Sequence, residues 1–162
     1  MSYIVEEYSD VGDALNQFDF NSNQTLFFIP ENFSDEIRSS EYIYSESTTD
    51  VRKVLRSENL IIEYLTIDKP LLRTRKSADW FGPILFISYS VLSENPTIIG
   101  ISLNLISSYL YDYFKGAIVE TKKVKFEIVI ETKKRKILKK IKYEGTVEGI
   151  KELTEVIKRF DK

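Results

Sequence analysis

The fold is decided by the stretch PTIIGISLNLISSYLYDYFKG, residues 96–116. Pro96 suits the first position of a helix, Asn95 before it can cap the helix, and Gly116 suits the position just past its end. The spacing between them predicts a helix of about five turns. Its apolar side chains cover most of the circumference, which is typical of a helix in a protein core, at an oligomer interface or in a membrane.

The length of the apolar region separates these alternatives. A membrane span needs about 20 continuous apolar residues. The polar step SENP, residues 93–96, divides the apolar region of residues 84–114 into two shorter runs. The sequence therefore predicts no membrane span and favours burial of the helix inside the fold or in a dimer.

A β-hairpin and a last helix are predicted after the central helix. In VKFEIVI, residues 124–130, apolar and polar side chains alternate as in a half-buried strand. ETKKRK, residues 131–136, predicts a polar turn, and residues 137–143 predict the partner strand, with Lys140 and Lys142 on the face away from the core. After Gly145, apolar side chains at helical spacing predict a C-terminal helix capped by Thr146.

The first part of the chain alternates short apolar runs with polar breaks, as expected for small strands and helices. Strands are predicted over residues 2–8, 24–29 and 59–67, and helices over residues 11–18 and 51–56, the second capped by Asp50. The serine-rich stretch 39–47 predicts an exposed strand or loop. The segment 84–92 predicts a buried strand, with a helix as the alternative.

These elements together predict a single α+β domain over residues 1–162. The expected architecture is a mixed or antiparallel sheet with the central apolar helix, followed by the β-hairpin and the C-terminal helix. The composition also permits a subdivision into an acidic part, 1–68, a linker-like segment, 69–82, and a strand–helix–hairpin–helix part, 83–162. The linker-like segment holds the basic tetrapeptide RTRK, residues 73–76, and its Gly82-Pro83 step is expected to end regular structure.

Composition narrows the chemistry. The 162 residues include no histidine and no cysteine, which removes the usual general base near neutral pH, every thiol nucleophile and zinc sites built from these residues. We therefore predict no catalytic residue, no metal site and no cofactor. An enzyme would have to use carboxylates, Lys, Tyr or Ser. The first residues do not resemble a signal peptide, so a cytoplasmic location is expected.

Charge is distributed unevenly behind a formal net charge of −2. Residues 1–114 hold 17 acidic and 8 basic side chains, whereas residues 115–162 hold 8 acidic and 15 basic ones. Three interpretations of the lysine-rich hairpin stay open: it binds nucleic-acid phosphates or an acidic lipid surface, it is a solvated edge that resists aggregation, or it meets the acidic first part within one chain or between two copies.

Several residues are candidates for an interaction site. Trp80, in DWFGP at residues 79–83, is the single tryptophan and could anchor an interface, with plain core burial as the alternative. The hairpin candidates are Lys133, Lys134, Arg135, Lys136, Lys140 and Lys142.

Residues 96–160 resemble the small effector-associated constant component domains of bacterial conflict systems. The resemblance lies in the element order: an apolar helix, a basic stretch, a lysine-rich hairpin and a closing glycine–helix junction. Such domains are regarded as non-catalytic adaptors that join effectors to sensors or proteases, so the resemblance implies protein–protein association.

The function predicted from the sequence is therefore a non-enzymatic interaction or adaptor module in a bacterial defence setting. It is expected to bind a protein partner and to self-associate through the central helix or the Trp80 region. The alternative is a nucleic-acid or anionic-surface binder that uses the lysines of residues 122–142.

Overall fold

A mixed six-stranded sheet lies at the centre of the protein. The computed structural model describes residues 2–8, 15, 18, 20, 22–34, 36–75, 79–115, 123–132 and 138–161. The strands of the sheet are β1 (Ser2–Glu7), β2 (Thr25–Ile29), β4 (Ile61–Tyr64), β6 (Trp80–Ile87), β7 (Val124–Glu131) and β8 (Leu138–Gly145). Their order is β1-β8-β7-β6-β2-β4, and a second sheet pairs β3 (Ile43–Ser45) with β5 (Leu71–Arg73).

Strand directions make the sheet mixed. The hairpin β7–β8 is antiparallel, as predicted, and β1 continues it antiparallel to β8. The pairs β6–β7 and β2–β4 are parallel, and β2 is antiparallel to β6. Because parallel neighbours need a crossover, helical segments lie between the two strands of each parallel pair in the chain. The prediction of an α+β fold is confirmed.

The helices supply the second layer. They are α1 (Thr48–Ser57), α2 (Tyr89–Glu94), α3 (Thr97–Phe114) and α4 (Leu153–Lys158), with short 3₁₀ helices at Ser39–Glu41, Glu148–Glu152 and Arg159–Asp161. The predicted central helix is confirmed as α3, which directly follows Pro96. It buries one face, made of Ile99, Ser102, Leu103, Ile106, Ser107 and Leu110. None of the described helices has the length and apolar character needed to cross a membrane.

The two faces of the large sheet differ in character. On one face, the even-numbered residues of β7 from Val124 to Ile130 are buried and join a core shared with α1, α3 and α4. The other face carries Lys125 and Glu127 of β7, and Lys140 and Lys142 of β8 lie on that face as predicted. One half of this second face is closed by aromatic rings, because the ring centroid of Phe20 lies 4.5 Å from that of Phe86 and 5.0 Å from that of Phe27. The other half is open.

The serine-rich stretch differs from the prediction. Residues 39–47 were expected to be exposed, but Tyr42, Tyr44, Ser45 and Ser47 are buried. The reason is a long-range contact: β3 pairs with β5, and the hydroxyls of Ser45 and Ser47 each donate a hydrogen bond of 2.8 Å to the carbonyl oxygen of Phe81.

The boundaries of other elements also differ. The linker-like segment 69–82 contains β5 and the first residues of β6. The segment 84–92 is divided, because β6 ends at Ile87 and the Ser88 hydroxyl caps α2 by accepting the Val91 N–H at 3.3 Å. Helix α1 begins at Thr48, so Asp50 lies inside it. The Asn95 side chain does not cap α3 and instead donates to the Asn23 carbonyl at 3.1 Å. Gly116 and most of the predicted helix 11–18 lie outside the described residues.

Candidate functional site

The open half of the second sheet face forms a groove of about 580 Å³, which we call the charged groove. Its apolar floor includes Phe81 and Ile84 of β6. Among the described residues, five cationic side chains line it: Arg73, Arg75, Lys125, Lys140 and Lys142. The strands place them, because Lys125 and Glu127 on β7 lie opposite Glu144 and Lys142 on β8. Neighbours across the hairpin therefore alternate in sign.

Glu31 organises one end of the charged groove. Its carboxylate side chain is only 15% exposed and receives two hydrogen bonds from Arg75, at 2.9 and 3.1 Å. An Arg73 nitrogen lies 3.2 Å from the same carboxylate. The Arg75 guanidinium also lies over the Phe81 ring, 4.7 Å from its centroid. Because two arginines share one carboxylate, this cluster keeps one net positive charge. The bidentate Arg75–Glu31 pair fixes its geometry.

The described hairpin lysines are all ion-paired, at nitrogen–oxygen distances of 3.2–3.5 Å. The pairs are Lys123–Glu144, Lys125–Asp79, Lys139–Glu7, Lys140–Glu127 and Lys142–Glu6. Glu6, Glu7 and Asp79 belong to the acidic first part of the chain. Lys125, Lys139 and Lys142 therefore meet the acidic first part of the same chain, whereas Lys123 and Lys140 pair with carboxylates of the hairpin itself. Each such surface pair contributes about 0–1 kcal/mol, but it removes a free positive charge from the surface.

The site residues predicted from the sequence lie in three different places: the charged groove, the core and the part of the chain outside the described residues. Lys140 and Lys142 lie in the charged groove, and the Lys140 ammonium also sits 4.2 Å from the Tyr8 ring centroid. Trp80 is only 7% exposed and packs in the hydrophobic core. Lys133, Lys134, Arg135 and Lys136 lie outside the described residues. Glu31 was not among the residues predicted from the sequence. The RTRK segment that supplies both of its arginine partners was recognised only as a basic stretch.

A bulge in β6 sets the floor of the charged groove. The Gly82-Pro83 step, expected to end regular structure, lies inside β6, where the register with β7 shifts between Phe81 and Ile84. The extra residue lets Trp80 and Leu85 face the core together, opposite Val124 and Ile128. A Cβ on Gly82 would lie 2.7 Å from the Phe126 Cβ and 2.8 Å from the Trp80 Cη2. Only glycine fits this close approach.

A second, smaller cleft of about 320 Å³ lies beside the start of α1. There the Tyr109 hydroxyl donates to the Asp50 carboxylate at 3.0 Å. Burial, followed by the hydrogen bond to Asp50, raises the pKa of Tyr109 to about 12. Asp79, also at this cleft, has a lowered pKa because it accepts the Lys123 backbone N–H and pairs with Lys125. Both shifts move the pKa of the group away from neutrality, whereas a general acid or base works best with a pKa near the operating pH.

The residues that the structure describes contain no group of three or more His, Cys, Asp or Glu side chains that could hold a metal ion.

The pKa of Tyr109 predicts a specific loss of stability in base. The folded pKa of about 12 lies above the ordinary value of 10.0, so the unfolded chain releases this proton first as the pH rises through that window. The folded state should therefore lose stability between about pH 10 and pH 12. We expect Tyr109→Phe to make the urea midpoint fall less steeply over this window. Tyr111→Phe, at an exposed tyrosine of the same helix, should retain the wild-type slope. An unchanged slope in Tyr109→Phe would contradict the assignment.

Comparison with known proteins gives no family. No family model matches the chain, and neither a curated protein nor a solved structure matches it significantly. The fold and the site define an α+β protein with a mixed six-stranded sheet, one face packed against helices and the other carrying a charged groove.

Proposed function

We propose that this chain is a non-enzymatic protein-interaction module that binds a partner protein through the outer side of α3. The observation that carries the proposal is Tyr111, a large side chain that is 63% exposed on α3, a helix whose opposite face is buried in the core. Tyrosine is enriched among the residues that dominate binding energy at protein interfaces, because a rigid ring offers much contact area at little entropic cost.

Tyr111 lies at a cleft that could receive a partner side chain. The cleft, of about 430 Å³, lies between the C-terminal half of α3 and the 3₁₀ helix Glu148–Glu152. Ser107 and Ser108 line one side and Lys151 the other, and the Ser107 hydroxyl donates to the Val147 carbonyl at 3.2 Å. An aromatic anchor beside polar groups is the usual composition of an interface centre and its rim.

The charges of the hairpin support protein association over phosphate binding. The five described lysines already face carboxylates, so a polyanion would have to displace in-chain partners before it gained their contacts. The alternative, binding of nucleic acid or an anionic surface, then depends on Lys133, Lys134, Arg135 and Lys136. Affinity at such a site falls steeply as salt rises, which makes the two functions distinguishable.

The setting we propose is an adaptor in a bacterial defence or conflict system. The support is the resemblance of residues 96–160 to effector-associated constant component domains, which includes α3 and its cleft. Genes for nucleases, proteases or nucleotide-signalling enzymes next to the gene for this chain would strengthen this setting.

The test compares Tyr111→Ser with Ile67→Ser, which removes a still more exposed apolar side chain in the loop between β4 and β5. We expect wild type and Ile67→Ser to retain the same protein partner in quantitative affinity capture. Tyr111→Ser should reduce its recovery at least about tenfold, as for an interface hot spot. Equal recovery with both variants would contradict the α3 surface. Tight binding of an oligonucleotide that weakens steeply between low and high salt would favour the alternative.

A further inference from the structure

The two edges of the large sheet differ in how far side chains protect them from pairing with another chain. At the β4 edge, the Arg52 side chain lies against the backbone: its Nε donates to the Ile62 carbonyl at 3.3 Å and its Nη2 to Glu63 at 2.9 Å. A charged side chain across an edge is a common protection against pairing with another chain. At the β1 edge, five of the six residues are exposed, and Ile4 is 63% exposed.

The polar side chains of β1 turn inward, away from its outer edge, where the described residues place no further strand. Glu6 pairs with Lys142 at 3.2 Å and Glu7 with Lys139 at 3.4 Å. The Ser2 hydroxyl donates to the Glu144 carbonyl at 3.2 Å. All three partners belong to β8, so these contacts hold β1 on the sheet without covering its outer side.

The backbone of β1 presents hydrogen-bonding groups to that side. The N–H of Tyr8 donates to the Leu138 carbonyl at 2.8 Å, continuing the ladder with β8. Because bonding alternates along an antiparallel pair, Ile4 and Glu6 share this inward orientation. Tyr3, Val5 and Glu7 therefore direct their N–H and C=O groups outward, as a template for one more strand.

We infer that this strand is β1 of a second copy of the chain, paired antiparallel about a two-fold axis at Ile4. In this register Ile4 faces Ile4 of the second copy, Tyr3 faces Val5, and Ser2 faces Glu6. The register therefore gives one apolar pair, two pairs of an aromatic with a β-branched side chain, and a neutral serine opposite each Glu6. Such apolar and aromatic–branched pairs are favourable across strands, and like charges are kept apart. A shift of the axis to Val5 would place Ile4 against Glu6 and Tyr3 against Glu7.

The resulting dimer joins two six-stranded sheets into one sheet of twelve strands. It goes beyond the proposed function, because it uses the β1 edge and leaves α3 free for another protein. A six-residue strand spans only about 20 Å, so the interface is small and the dissociation constant should be on the order of 10–100 μM.

The first test measures association by sedimentation velocity over a concentration series. Val5→Pro removes an outward N–H while leaving the ladder with β8 intact, and we expect it to weaken the dimer at least about tenfold. Ile4→Lys, which opposes two like charges at the axis, should do the same. The matched control is Ile61→Lys at the β4 edge, where the side chain is 46% exposed, and it should associate like wild type. Circular dichroism checks that each variant folds.

The second test uses the absence of cysteine from the chain. Ile4 faces itself in a non-hydrogen-bonded pair, whose Cα separation of about 4.5 Å suits a disulfide. Ile4→Cys should therefore form a covalent dimer under mild oxidation, and Ile61→Cys should not. A wild-type chain that stays monomeric up to about 1 mM, or a dimer that crosslinks no better through Ile4→Cys than through Ile61→Cys, would overturn the inference. Neither result would alter the test of the α3 surface.

Discussion

Replacing Gly82 with alanine is expected to lower the free energy of unfolding by about 2–3 kcal/mol. The added methyl group would meet the Phe126 Cβ at 2.7 Å and the Trp80 ring at 2.8 Å. Phe126 is fixed by β7 and Trp80 is a core side chain, so relief requires a shift of the bulge in β6. The shift would also disturb the Phe81 carbonyl that accepts the Ser45 and Ser47 hydroxyls. Urea denaturation at pH 7 measures the loss.

Gly100→Ala is the matched control for Gly82→Ala. Gly100 lies inside α3, and a Cβ there would meet only the Thr154 methyl group at 3.4 Å, an ordinary contact. Alanine is favoured over glycine within a helix by about 0.5–1 kcal/mol, so this variant should be more stable than wild type. If the two alanine variants changed stability in the same direction, the close approach at the β6 bulge would not be the cause.

Phe86→Ala is expected to cost about 3–5 kcal/mol, the range for truncating a buried phenylalanine. Phe86 is fully buried on β6, where its ring packs against Phe20 and its neighbour across the strand is Phe27. Its removal would leave a cavity under the rings that close half of the second sheet face. Because such a loss approaches the total stability of many domains, Phe86→Leu serves as a milder variant, with an expected cost of about 1–2 kcal/mol.

Phe81→Ala provides the contrast on the same strand and the same face. Phe81 lies in the charged groove, half-buried, under the Arg75 and Lys125 side chains. Its truncation removes cation–ring contacts and partial burial, so we expect a loss of only about 1–2 kcal/mol. Equal losses from Phe81→Ala and Phe86→Ala would mean that the two halves of this sheet face are packed alike, contrary to the structure.

The elements predicted correctly are those whose signal is local. The α3 helix follows from the proline before it and the apolar pattern within it, and β7 follows from its period of two. The serine-rich stretch failed because its burial depends on the Phe81 carbonyl, 34 and 36 residues away. Without that distant acceptor, the polar side chains of Ser45 and Ser47 are expected to lie at the protein surface.

In the candidate site, too, only the residues with a local sequence signal could be predicted. Lys140 and Lys142 were found because alternation along one strand places them on the solvent side. The carboxylates that pair with them were not, since Glu6 and Lys142 lie on strands from opposite ends of the sequence. Glu31 and Arg75, separated by 44 residues, give no local pattern at all. Charge asymmetry between the two parts of the chain indicated that such pairs exist, without indicating which residues form them.

The position of β1 has a consequence for synthesis of the protein. Ser2 pairs with Glu144 across 142 residues of chain, so this strand leaves the ribosome long before its only described neighbour is translated. At about 5–20 residues per second the delay is roughly 7–28 s. During that time the strand has no ladder to join, and Glu6 and Glu7 keep it charged and soluble until their lysines arrive. The carboxylates of Glu6 and Glu7 are therefore expected first to protect the nascent strand and afterwards to act as the ion-pair partners that dock it on β8.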